Sequence, residues 1–162
     1  MNKKILTSIA LIIFGTGLYL WWFSDSKIVT RSTESLIECF QKESGDGRLG
    51  GAITTSTFRD LLDDNITLTI NRADIPYVSE LGTTLIKEEL VQMHRGLVNS
   101  PAIVTITNKQ INIDNITHDT ATVTLNFHIK SPQAKLDHNI KSTLTYQKIN
   151  SDWKISKATL AE

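Results

Sequence analysis

The 162-residue chain has one cysteine, three prolines and a formal net charge of zero at pH 7. With a single cysteine no internal disulfide forms, so the folded part must hold together through its core. Seventeen Lys and Arg against 17 Asp and Glu leave no electrostatic footprint for nucleic acid. The four histidines, His94, His118, His128 and His138, are spaced 24, 10 and 10 residues apart and match no metal-ligand pattern. No Gly-rich phosphate cradle, nucleophile elbow or internal repeat occurs, and neither a metal nor a cofactor is expected. Long uncharged stretches are scarce too: there is one, "ILTSIALIIFGTGLYLWWF", from Ile5 to Phe23.

As a helix rising 1.5 Å per residue, that run would span roughly 28 Å, close to the ~30 Å hydrocarbon core of a bilayer. A secretory signal has a shorter apolar region and a small-x-small cleavage site, whereas this run leaves through "LYLWWFSDSK". Tyr19, Trp21 and Trp22 suit one membrane interface, and Lys3 and Lys4 favour a cytoplasmic amino terminus. The expectation is a cytoplasmic stub (residues 1–4), an uncleaved single span (5–23) and one domain outside the cytoplasm (24–162), held at the inner (cytoplasmic) membrane. That domain carries 15 basic against 17 acidic residues. Its size suits one core.

After the cap-rich "SDS", Val29, Thr33, Leu36, Ile37 and Phe40 recur at helical spacing. Cys39 in this pattern reads as a buried, inert thiol. "GDGRLGG" reads as a flexible connection, "TFRDLLDD" as a short helix and "NITLTI" as a half-buried strand. The irregular "NRADIPYVSELG" leads into an amphipathic helix over "TTLIKEELVQMHRGLVNSP", stopped by Pro101. The period then falls to 2 in four runs, "AIVTITNKQINI", "ATVTLNFHI", "NIKSTLTYQKI" and "WKISKATL", joined by short connections that predict an antiparallel meander. The "NIT" triplets at Asn65 and Asn115 read as strand starts. In the second run Ala121, Val123, Leu125, Phe127 and Ile129 face one way, and Thr122, Thr124, Asn126 and His128 the other. The prediction is an α+β domain with helices on one face of a curved antiparallel sheet.

The phrases "LLDDNITLTI", "IKEELVQMHRGL", "DTATVTLNFHI" and "LTYQKINSDWKISKATL" resemble the nuclear transport factor 2-like superfamily over Lys27 to Glu162. The resemblance implies a cone in which helices cap the concave face of a bent sheet and leave a pocket, while the outer face mediates dimer formation. Ketosteroid isomerases of that superfamily place a catalytic Asp before a Pro after the first strand, and "RADIP" puts Asp74 at a similar place. Their oxyanion hole of a tyrosine and a protonated acid has no counterpart here: the first helix lacks tyrosine, and the inward strand positions lack an acid. Asp74 therefore also reads as a turn residue. Dehydratase-type members use histidines, which singles out His94, either at the pocket mouth or on the helix surface. Tyr77, Phe127, Tyr146 and Trp153 are the remaining pocket candidates, with Trp153 alternatively a core plug. The expected function is a membrane-anchored, non-catalytic interaction or assembly module, with the outer face of Thr122, Thr124, Asn126 and His128 as a protein or homodimer surface. The alternative is small apolar ligand binding, or isomerase- or dehydratase-like chemistry, in the cone.

Overall fold

The computed structural model describes residues 15–17, 20, 24–42, 48–70 and 84–161. Of the run Ile5–Phe23 only residues 15–17 and 20 are described, and Asp74 and Tyr77 lie outside the described residues. Among the described residues no helix is long and apolar enough to cross a membrane.

Helix α1 spans Asp25–Phe40 and buries Val29, Thr33, Ile37 and Cys39 along one stripe, the spacing its sequence shows. Helix α2 spans Arg48–Leu61 and so takes in the second half of the Gly-rich stretch expected to be a connection. Gly51 explains this, because a Cβ there would stand 2.4 Å from Val98 Cγ1. The glycine allows α2 and helix α3 (Lys87–Asn99) to approach closely, and that packing offsets poor helix propensity. Glu89 supports the start of α3 by accepting the Ile86 backbone N–H at 2.9 Å.

Among the described residues six strands form one sheet in the order β2-β1-β6-β5-β4-β3. They are β1 Leu62–Ile70, β2 Thr84–Ile86, β3 Thr105–Ile116, β4 Thr120–Ser131, β5 Leu136–Ile149 and β6 Asp152–Ala161. The expected antiparallel meander is present in β3 to β6, but the sheet is mixed, because β1 lies parallel to β6. Hairpin lengths determine only the direction of consecutive strands, so a pairing between the first strand and the last leaves no local signal. The start of the expected third helix is instead the short strand β2, paired antiparallel to β1. Both "NIT" triplets also sit differently: Asn65 falls inside β1 and Asn115 near the end of β3.

Register shifts interrupt β3/β4 between Thr107 and Gln110, around Asn108 at φ 52°, and β5/β6 next to Tyr146. Such bulges bend a strand and raise its twist, which curves the sheet. Ala121, Val123 and Leu125 on the concave face are buried and pair with Tyr146, Leu144 and Ser142 of β5. Those in turn face Ile155, Ala158 and Leu160 of β6.

The β5–β6 hairpin turns through Asn150 and Ser151 at φ 50° and 74°, between the paired Ile149 and Asp152. Two residues with positive φ make the turn that matches strand twist. Asn tolerates this conformation and Ser does so less well. Ser151→Gly is expected to raise the unfolding free energy by about 1 kcal/mol, read as a higher urea midpoint; an unchanged or lower midpoint would refute the strain.

Candidate functional site

The curved sheet and the helices enclose a cavity of about 250 Å³. Leu36, Ile37 and Phe40 of α1 and Phe58 of α2 line it on the helical side, and Leu125, Phe127 and Ile129 of β4 with Ile140, Ser142 and Leu144 of β5 line it on the sheet side. Leu144 and Ile155 are fully buried at one end, whereas Phe127, Ile129, Ile140 and Leu160 are half-buried at the other. The mouth therefore lies toward the paired Phe127 and Ile140. No Asp, Glu, His, Lys, Arg, Cys or Tyr is found among the described lining residues. Among the described lining residues the one polar side chain is that of Ser142. Such a wall can solvate an apolar group and orient it through one hydrogen bond, and among the described residues it offers no general acid or base.

The candidates read from the sequence separate accordingly. Phe127 lines the cavity. Tyr146 is fully buried but lies outside the wall, with its hydroxyl 2.8 Å from Thr33 Oγ1. Thr33 donates to the Val29 carbonyl at 2.9 Å, so the tyrosine is the donor and acts as a strut between sheet and α1. Burial pushes its pKa well up, opposed by the Thr33 hydrogen bond. Trp153 is likewise a core residue: its Nε1 donates to Asp25 Oδ1 at 2.9 Å. Lys148 Nζ reaches the same oxygen at 2.8 Å and stands 5.4 Å over the indole ring. The Lys148 hydrogen bond, then that of Trp153, hold the Asp25 carboxyl below its ordinary range. This clamp fixes the start of α1 to the β5–β6 hairpin.

His94 is neither at the cavity mouth nor on the helix surface. It is 1% exposed, stacked on Phe58 with ring centroids 4.5 Å apart and edge-on to Phe40 at 5.4 Å. Both phenyl rings line the cavity, so the imidazole backs its wall. Nε2 lies 2.9 Å from the Cys39 carbonyl and Nδ1 3.2 Å from Thr55 Oγ1. A carbonyl only accepts, so Nε2 carries the proton and Nδ1 accepts from Thr55, which makes the ring a neutral cross-brace among three helices. Desolvation pulls its pKa down against the raising effect of the Cys39 carbonyl.

Cys39 itself is 5% exposed, and desolvation pushes its thiol pKa up to about 11. The thiolate is the reactive form. In the folded protein Cys39 is expected to resist iodoacetamide at pH 8 and to be alkylated only in denaturant; native labelling at the rate of a free cysteine would contradict its burial.

The outer sheet face is more self-contained than its composition suggests. Thr122, Thr124, Asn126 and His128 are all half-buried. Thr124 donates to Asp114 at 2.6 Å, and His128 lies 3.1 Å from both Asn139 Oδ1 and Asp137 Oδ1. Among the described residues no group of three or more His, Cys, Asp or Glu could hold a metal.

Sequence reasoning missed Ser142, although strict alternation from Leu144 and Tyr146 places it on the concave side. It also missed the His94 brace, whose partners come from two other helices and leave no motif.

No family model matches the sequence, and no curated protein matches it. Solved structures do. A nuclear transport factor 2-like protein from Cytophaga hutchinsonii is 17% identical with a TM-score of 0.60, covering 86% of this chain and 98% of its own. One of unknown function from Shewanella oneidensis is 14% identical with a TM-score of 0.58, covering 85% and 98%. The association domain of C. elegans CaMKII is 14% identical with a TM-score of 0.55, covering 86% and 96%. At such identities the likeness speaks for architecture alone, and the architecture of this chain is the nuclear transport factor 2-like fold.

Proposed function

We propose that the chain is a membrane-held, non-catalytic binding domain whose cone takes up a small apolar molecule, or an apolar group of a larger one. The observation that carries the reading is the cavity of about 250 Å³, whose described wall is of aliphatic and phenyl side chains with one hydroxyl. An apolar, largely preformed site with one polar group is the common form of a small-molecule pocket. The tether rests on Ile5–Phe23, which has the length and flanking residues of a single span, with the domain outside the cytoplasm. Isomerase chemistry finds little support, since the described wall holds no tyrosine or acid to build an oxyanion hole.

The test is a fluorescence titration of the full chain, in phosphatidylcholine nanodiscs, with an environment-sensitive naphthalene probe. Saturable enhancement beyond that of empty nanodiscs supports the reading. A signal equal to that of empty nanodiscs overturns it.

A second reading, assembly through the outer sheet face, draws on the likeness to an association domain and on the weakly charged row of Thr122, Thr124, Asn126 and His128. Crosslinking in intact membranes that recovers only monomer would count against it.

A further inference from the structure

The α2–α3 pair carries a second concavity, separate from the cone and of different chemistry. Its volume is about 340 Å³. Gly51 and Ala52 of α2 and Val98 of α3 keep its base shallow and apolar, and the absence of a side chain at Gly51 is what lets the two helices meet there. Two arginines, Arg59 from α2 and Arg95 from α3, line the concavity as well, with Ser56 and Asn99.

No carboxylate is found among the described lining residues. Glu88 reaches Arg59 from outside the groove through one contact of 3.2 Å, with the two side chains 47% and 66% exposed. A single exposed pair of this kind is weak and exchanges readily. Arg95 has no ion pair among the described residues. Two arginines border one concavity in a domain whose acidic residues outnumber its basic ones. The Thr55 hydroxyl at the base is already committed to His94, so the donors open to a ligand are the guanidinium forks, Ser56 and Asn99.

From this geometry we infer that the groove between α2 and α3 is an oxyanion site for a small dianion, of which a phosphate monoester is the simplest example. Planar guanidinium forks match phosphate oxygens in pairs. A phosphate monoester near neutral pH carries about 1.5 to 2 negative charges, which two arginines balance and a monocarboxylate would not. The apolar base of Ala52 and Val98 leaves room for a compact body attached to the anion. The site is independent of the cone, and either can fail without the other.

The experiment is a calorimetric titration of the full chain in phosphatidylcholine nanodiscs with inorganic phosphate, at an ionic strength held constant with chloride. Saturable binding is expected for native protein. Arg95→Ala should weaken it by about ten-fold or more without moving the thermal midpoint, since Arg95 is exposed and braces nothing described. Glu88→Gln should tighten it several-fold by releasing Arg59. Repeating the titration in nanodiscs doped with phosphatidic acid separates the sources: lost phosphate binding identifies a lipid headgroup as the occupant, and unchanged binding a soluble phosphate compound. Absence of saturable binding to the native chain, or equal binding by Arg95→Ala, overturns the assignment.

Discussion

His94→Ala is expected to lower the unfolding free energy by about 3 kcal/mol or more. Removing a buried ring leaves a cavity between Phe40 and Phe58, and aromatic truncations in cores cost about 3 to 5 kcal/mol. The Cys39 carbonyl and the Thr55 hydroxyl also lose their partner, at about 1 to 3 kcal/mol for each buried group left unpaired. The cost is paid where three helices meet, so the midpoint of urea unfolding should drop with no change in slope.

The same residue sets a pH dependence. A histidine whose pKa is lowered by folding binds its proton more readily unfolded than folded. Its contribution is complete above the unfolded value of about 6.5 and is lost as pH falls from there toward the lowered folded value, at up to about 1.4 kcal/mol per pH unit. Asp25 acts in a separate window. Its carboxyl is held down by Lys148 and Trp153, so that stability persists until pH falls below about 4. Native protein should therefore lose stability between pH 7 and 5, and His94→Gln should flatten that slope while leaving the acid limb. An equally steep slope in His94→Gln would mean that another group is titrating.

Ser142→Phe is expected to weaken uptake of an apolar probe by at least ten-fold, about 1.4 kcal/mol, while the domain stays folded. Ser142 is 3% exposed and borders the cavity, so a phenyl group placed there enters empty space. Adding bulk to a packed core costs about 1 to 3 kcal/mol, whereas filling a void recovers dispersion contacts its lining lacks. Stability should thus hold or rise as binding falls. Loss of stability with probe binding intact would show that the void is not where ligand goes.

These effects also mark what was legible in the sequence. Strand alternation in "ATVTLNFHI" placed Ala121, Val123 and Leu125 on the buried face, and helical spacing placed Val29, Ile37 and Cys39 in the core. Both signals are local periods of 2 and 3.6. The parallel contact of β1 with β6 and the Gly-rich start of α2 were not legible, because each is decided by a partner far away in sequence. The aromatic candidates show the same division. Tyr146 and Trp153, expected to line the pocket, are buried instead beside it, because their polar atoms bind Thr33 and Asp25 of α1. Phe127 has no such atom and remains in the wall.

Photolabelling puts the accessible apolar cone to its most direct test. The full chain in nanodiscs is irradiated with a short alkyl diazirine, and the labelled peptides are mapped by mass spectrometry. Label concentrated on the β4 and β5 peptides carrying Leu125, Phe127, Ile140 and Leu144, and removed by Ser142→Phe, is the expected result. Label confined to Ile5–Phe23, with none on β4 or β5, would contradict it.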